Sequence, residues 1–460
     1  VEKQLFWMSL LVESSTFKSP CLLDILRLLA LEQELNTKNT KEIRYIGPKK
    51  SVAESLRKLS QRQNISFYWE KTPTQPIGSL SRRLWYLLPN PLRSFIHLIK
   101  YVFQRWSLKA SKVPIWFEGS KAVFVFSNFA HLEKNSCELG KFYSKQWETL
   151  PKLICDYGGE TNWLHHFLFS ADVPNVRTSI NLARTFNNNS SRQGCHSFID
   201  SYLSPRRVLR AFKKWIRLIL VSWKLREIHE LFTPEGSNAW LWPMLKRDWL
   251  SSIKGTTSII NCLWIELFDA ALEEIPHQYN GLYLCENQGW ERAFLHAWRK
   301  HEHGKIIGVP HATVPFWHLY YFEDPRTINS RDNLSQPLPD QMAVNGPVAW
   351  DAFLESDYRP EQLVEVEALR YLNLTGLSKK RETDSSKSKN THQSDPQKIK
   401  ILVVGDYIPL SNHQLLSDLE RTMQILPDHY SLTFKPHPGL DVNMKNYHNL
   451  TIQKTSEALE

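Results

Sequence analysis

No CxxC pair occurs among the six cysteines; Cys21, Cys137, Cys155, Cys195, Cys262 and Cys285 lie far apart along the 460 residues. That spacing argues against a disulfide scaffold or a zinc ribbon and suits a reducing cytoplasm. No apolar run reaches the roughly 18 residues a spanning helix needs, so no transmembrane helix is expected. The opening VEKQLFWMSLLVESS lacks a basic stretch followed by an apolar one, so no secretory signal is read there. It also lacks an initiator methionine, which reads as the mark of a fragment. Walker A and GxGxxG loops are missing, which argues against ATP or NAD binding through them. His296, His301, His303, His311 and His318 are close in sequence, but none sits in an HExxH or zinc-ribbon spacing. No metal is expected. Without RNP-like, helix-turn-helix or zinc-finger patterns, no nucleic-acid partner is expected either. No internal repeat is visible.

What is present is apolar and basic. Hydrophobic residues make up 42% and aromatics 12%, enough to bury sizeable cores. Lysine and arginine number 57 against 47 acids, a net charge of +10. An excess of that size points to a polyanionic partner such as a phosphate, a nucleotide or an anionic membrane. At the N-terminus, residues 5–12 read as a buried strand. Over 19–35, Leu22, Ile25, Leu26 and Leu29 share one helical face, with Ser19 as the cap and Pro20 in the first turn. A strand over 43–47, a helix over 51–63 and a strand over 65–69 continue the alternation. Strand–helix alternation of this kind signals a parallel, doubly wound α/β sheet.

The middle is dominated by two basic–aromatic segments, about 81–112 and 200–230, with a strand over 122–127 between them. In the first, Arg82, Arg83, Arg93, Lys100, Arg105, Lys109 and Lys112 interleave with aromatics and no acid. The second alternates Arg206, Arg207, Arg210, Lys213, Lys214 and Arg217 with Phe212, Trp215, Ile216 and Trp223. Such helices fit peripheral contact with the inner face of a membrane, or simply pack their apolar faces inward. From residue 281 the alternation returns: strands over 281–285, 306–309 and 341–344, with a helix over 290–299. A polar stretch, 376–398, cannot bury enough to order itself and reads as a linker. Beyond it come a strand over 399–405, a helix over 412–425, and strands over 431–435 and 450–452. The expected organisation is thus an N-terminal α/β domain over 1–375 with helical insertions, the linker, and a second domain begun at 399–460. A doubly wound domain takes roughly 100–150 residues, so the second one reads as incomplete.

Chemistry is expected at the carboxyl ends of the strands, where open parallel sheets bind ligands. Glu286, His311 and Asn345 each follow one of three successive strands, on one edge. A carboxylate and an imidazole placed together can take a proton from an attacking hydroxyl. Equally, Glu286 could cap the helix it precedes, and His311 could be an ordinary loop histidine. In Lys435-Pro436-His437-Pro438, two prolines hold the histidine in an extended, pre-ordered loop. A cation and an imidazole so placed make a phosphate clamp; the alternative is a proline-stiffened turn whose charges are incidental.

Several segments together resemble the GT-B glycosyltransferase superfamily: LYLCENQGWERAFLHAW (282–298), IIGVPHATVPFWHLYYF (306–322), MAVNGPVAW (342–350) and FKPHPGL (434–440), with the weaker NWLHHF (162–167) and WPMLKRDW (242–249). The pattern is similar to bacterial surface-carbohydrate-biosynthesis proteins related to polysialyltransferases, Kdo transferases and CDP-glycerol glycerophosphotransferases. The resemblance implies two Rossmann-like domains facing a cleft, the acceptor on the first and a nucleotide-activated donor on the second. It also implies inversion at the anomeric carbon without a metal or other cofactor. Glu286 with Gly289 resembles the acidic-Gly motif that supplies the general base. His311 resembles the histidine of a His-Gly-Thr motif, with Ala312 as a departure, and His437 the histidine that contacts donor phosphate. The expected catalytic set is Glu286, His311 and His437. Donor contacts fall to Gly405, Asp406, Lys435, His437 and Pro438, and acceptor contacts to Asn287, Gly289, Thr313 and Asn345. The later Ser/Thr-rich donor motif has no counterpart before Glu460. Partners would be a nucleotide sugar and a glycan or lipid-linked acceptor, used in the cytoplasm. A nucleotide-sugar epimerase and a non-catalytic, membrane-associated polysaccharide assembly factor are the alternatives.

Overall fold

A computed structural model describes residues 2–73, 85, 87–111, 115–170, 172–189, 194–310, 314, 319–328, 335–368, 399–406, 409–427, 429–436 and 451–452. The chain divides into two compact units, Val1–Thr375 and Gly376–Glu460.

The first unit opens with helices, where an apolar strand was expected. Glu2–Trp7 (α1) and Leu10–Glu13 (α2) occupy that segment. Leu5 and Met8 are buried while Phe6 between them is half exposed, a three-residue spacing that only a helix satisfies. A short apolar run does not declare its own period. The next helix, Cys21–Thr37 (α3), starts after Pro20; Ser19 accepts from Leu22 N through its backbone carbonyl at 3.0 Å, but among the described residues its side chain makes no cap hydrogen bond. Strands β1 (Glu42–Ile46) and β2 (Ser66–Glu70) pair in parallel across the helix Lys50–Arg62 (α4), but as a two-stranded sheet of their own.

The principal sheet begins later, with β3 (Ala122–Phe129), followed by β4 (Glu160–Phe167), β5 (Gly194–Phe198), β6 (Asn280–Leu284), β7 (Lys305–Val309), β8 (Gln341–Val344) and β9 (Leu363–Glu365). Its order is β5-β4-β3-β6-β7-β8-β9, and every pairing is parallel. Counted from β3, this is the doubly wound succession that runs outward one way, then returns to build the other half.

Both faces of the sheet are covered, as a parallel sheet requires. On one face lie Asn90–Arg105 (α5), Pro205–Ser222 (α6), Trp242–Lys254 (α7), Thr256–Glu274 (α8) and Gly289–Lys300 (α9). There Phe124 and Phe126 pack on Phe268, Phe294, Trp290 and Trp298. The close fit explains Gly281, where a Cβ would sit 2.6 Å from Ile306 and 2.7 Å from Trp298. On the other face Trp147 and Trp163 close over Val125, Leu284 and Val309. No helix among the described residues is long and apolar enough to cross a membrane.

The second unit carries β10 (Ile399–Val404), β11 (Tyr430–Lys435) and β12 (Thr451–Ile452), all parallel, with Pro409–Met423 (α10) between the first two. Leu416, Leu432 and Phe434 form its core.

Candidate functional site

From β3 the chain lays down β4 and β5 on one side, then crosses back to place β6 on the other. Crevices at such a reversal, beyond the carboxyl ends of the strands, are where open α/β sheets hold ligands. Glu286 lies there, two residues past β6.

The turn that presents it is built by its neighbours. Oε1 of Glu291 accepts from the backbone N–H of Glu286 at 2.8 Å and of Gln288 at 2.9 Å, a capping box that starts α9. The capping residue is thus Gln288, and Glu286 stands outside the helix. Asn287 takes a left-handed conformation with φ of 55°. Its Nδ2 donates to Tyr320 O and to Glu323 Oε1, and its Oδ1 accepts from Arg292. Arg292 is 2% exposed and also pairs with Glu323 at 2.7 Å. Asn287, expected on the acceptor side, is therefore committed to holding the turn. Gly289 serves packing: a Cβ there would lie 2.7 Å from Met8 O of the N-terminal helical segment.

The half-buried Glu286 side chain projects into a polar chain. Nε2 of Gln288 donates to Glu286 Oε2, and Oε1 of Gln288 accepts from Lys18 Nζ at 3.4 Å. Lys18 in turn pairs with buried Glu13 at 2.5 Å. In the last residues of β4, in register with Asn128 of β3, stands His166. Its ring lies 5.6 Å from Trp264 and 6.4 Å from Trp290. Burial, then the cations Arg105 and Lys18, push its pKa down to about 3, so the imidazole is neutral at physiological pH. Beyond β5, fully buried Asp200 accepts from the Tyr101 hydroxyl at 2.7 Å, with Arg105 Nε 3.8 Å away. Burial raises its carboxyl to about 6 against the pull of Arg105 and Tyr101. One edge therefore carries a carboxylate, a neutral imidazole, and the cations Lys18 and Arg105. Such a set can accept a proton and hold an anion.

Other expected residues fall in separate places. Asn345 follows β8, two strands away from β6, and leads through Gly346, whose φ of 136° disfavours any side chain, into the helix Pro347–Glu355. His311 and Thr313 lie outside the described residues. In the second unit, Gly405 and Asp406 follow β10 beside Lys435 at the end of β11, with Gly405 N donating to Lys435 O at 2.8 Å. A Cβ on Gly405 would meet Asn412 Oδ1 at 2.5 Å and Phe434 at 2.6 Å. Asn412 Oδ1 also accepts from Asp406 N at 3.0 Å, which ties the strand end to α10. His437 and Pro438 lie outside the described residues. Among those described, no three His, Cys, Asp or Glu side chains converge to hold a metal ion.

Sequence reasoning passed over Lys18, Arg105, Asp200 and His166 as site residues. The adjacent pair of histidines closing β4 was the one signal available.

Glu291 supplies a prediction in pH. Burial lifts its carboxyl to about 8, more than the two backbone N–H donors lower it. An acid whose pKa is higher folded than unfolded favours the native state while protonated, and that advantage drains away as pH rises from its unfolded value towards 8. Glu291→Gln keeps the acceptor oxygen without the ionisable group. Its melting temperature, measured from pH 5 to 9, should gain steadily on that of the wild type. Parallel curves would mean that Glu291 does not titrate in this range.

No protein-family model matches the chain, and neither does any curated protein sequence. Among solved structures it is similar to UDP-N-acetylglucosamine 2-epimerase from Rickettsia bellii, at 11% identity over 73% of this chain and 69% of that one, with a TM-score of 0.31. The N-terminal domain of Candida albicans trehalose-6-phosphate phosphatase is similar at 11% identity over 71% of this chain and 66% of that one, with a TM-score of 0.33. At such scores neither likeness assigns a function.

Proposed function

We propose that the chain is an inverting, metal-independent transferase that moves a sugar or polyol-phosphate group from a nucleotide-activated donor to an acceptor hydroxyl of a cell-surface glycan precursor. The observation that carries the reading is the place of Glu286, a half-buried carboxylate just past β6, where the strand order reverses. The segment that holds it also resembles the GT-B enzymes named above; within the second unit, taken by itself, Gly405, Asp406 and Lys435 stand at adjacent strand ends.

For glycosyl transfer, the acceptor oxygen bonds to the anomeric carbon of the donor while Glu286 takes its proton. The bond from that carbon to the phosphate oxygen breaks, and the electron pair leaves on the nucleotide phosphate. Gln288 and Lys18 keep the carboxylate oriented. His166, being neutral, can hydrogen-bond the acceptor without adding charge. Lys435 and His437 are assigned to the departing phosphate.

A melting screen of the full chain with CMP, CDP, UDP and GDP tests this. One nucleotide should raise the melting temperature, by the equivalent of about 2.7 kcal/mol at a hundred times its Kd, and His437→Ala should lose the rise. No shift with any of the four, in folded protein, would remove the donor and with it the transferase.

A further inference from the structure

Helices α5 and α6 both lie on α8, and their inward faces are ordinary. Leu98 and Tyr101 of α5 and Ala211, Trp215 and Leu218 of α6 are buried. Trp215 Nε1 donates to Ser258 Oγ at 3.0 Å, and Arg210 and Lys214 pair with Glu266 at 2.6 and 2.7 Å. Their outer faces are not ordinary. Phe95, Ile99 and Phe103 recur at helical spacing along α5, and Leu209, Ile216, Leu220 and then Trp223 do so along α6, all exposed. Phe103 is 84% exposed and Trp223 62%. Between the two stripes runs an open groove of about 810 Å³, lined by Phe95, Ile99, Phe103, Leu209 and Phe212 among others. Phe95 and Phe212 meet edge to face across it, ring centres 5.7 Å apart.

The charge beside the groove has one sign. Neither α5, the 3-10 turn Trp106–Ser111 that follows it, nor α6 contains an acid. Lys100, Arg206 and Lys213 are exposed at helical positions flanking the apolar stripes, and none is in an ion pair among the described residues. Lys109 sits over the ring of half-exposed Trp106, 4.5 Å from its centre. The first turn of α5 borders a second cavity, of about 740 Å³, which takes Arg93 from α5 and Lys246 and Arg247 from α7. One helix thus leads from a cationic cavity into an apolar groove.

An apolar stripe flanked by lysine and arginine, with aromatics at its margin, is the pattern of helices that lie in a lipid interface. A protein partner would call for charges of both signs to set its register, whereas this face offers cations alone. We propose that the α5–α6 face docks the protein on a bilayer leaflet containing anionic phospholipid. Phe103, Trp106 and Trp223 enter the boundary between headgroups and chains, Lys100, Arg206 and Lys213 meet lipid phosphates, and the cavity beside Arg93 receives a headgroup. This stands independently of the transfer reaction.

Flotation of the full chain with vesicles of phosphatidylcholine, alone or mixed with phosphatidylglycerol, is the test. Binding should require the anionic lipid, weaken as salt is raised, and shift tryptophan emission to the blue. Arg206→Glu with Lys213→Glu should lower partitioning at least about tenfold. Ile99→Asp with Phe103→Asp should abolish it. Far-UV circular dichroism checks that these exposed substitutions leave the fold intact. Equal binding to uncharged vesicles, no binding to anionic ones at low salt, or full binding by both variants would overturn the proposal. A concentration-dependent dimer that Phe103→Asp dissolves, seen by light scattering without lipid binding, would overturn it in favour of a second copy of the chain.

Discussion

Glu286→Gln is expected to lower turnover about 10²–10⁴-fold, the usual contribution of a positioned general base, without changing the melting temperature. The substitution keeps an oxygen for the Gln288 amide to donate to and removes only the ability to take a proton. Because the Glu286 side chain is half-buried and outside α9, the change disturbs neither the capping box nor the core. The measurement is steady-state turnover with the nucleotide-sugar class identified by the melting screen, wild type against variant, together with nucleotide affinity. Affinity should stay the same, since the loss lies in the transition state and not in binding. Turnover within threefold of wild type would take the base away from Glu286. His311, the other candidate from the sequence, would then be next.

Arg292→Ala is expected to cost about 3–5 kcal/mol of stability, the range seen when one partner of a buried ion pair is removed. Arg292 holds three groups at once: Glu323 Oε1 at 2.7 Å, Pro337 O at 2.8 Å, and Asn287 Oδ1. Removing it strands the Glu323 carboxylate, itself only 10% exposed, and frees the left-handed Asn287 turn that leads into α9. Arg292→Lys restores charge but not the planar fork, so it should recover only part of the loss. Denaturant midpoints of the two variants check this. An alanine variant within about 1 kcal/mol of wild type would mean that the network is not what holds the turn. In the expected case turnover falls as well, because Glu286 stands one residue before Asn287.

How far the site could be read in advance depended on distance along the chain. The strand–turn–helix over β6, residues 285–288 and α9 is legible because everything that makes it is local. Its strand is short and apolar, and Trp290, Phe294, Ala297 and Trp298 recur at helical spacing. β4 was not legible. Thr161, Asn162, His165 and His166 interrupt its apolar pattern, and such polar residues ordinarily argue against a buried strand. Asn162 and His165 are buried because partners far away satisfy them. Asn162 bonds to Phe117 and Gln278, and the His165 ring lies parallel to that of His196, with a ring-nitrogen contact at 3.1 Å. Residues 5–12 failed for the opposite reason. Their apolar run fits a strand locally, and only packing around Leu5 and Met8 selects the helix.

The sequence by itself determined the parallel α/β class, the units that alternate strand with helix, and the position of Glu286 just beyond a strand. Those properties follow from the period of apolar residues and the chemistry of turns, which act over a few positions. Strand order was decided only by the tertiary structure. By crossing back from β5 to lay β6 beside β3, the fold sets His166 and Asp200 on the edge that carries Glu286, and side-chain contacts from outside the sheet add Lys18, Tyr101 and Arg105. No local pattern marks these residues as companions, because burial of both sheet faces selects the strand order and the gathering of side chains follows from it.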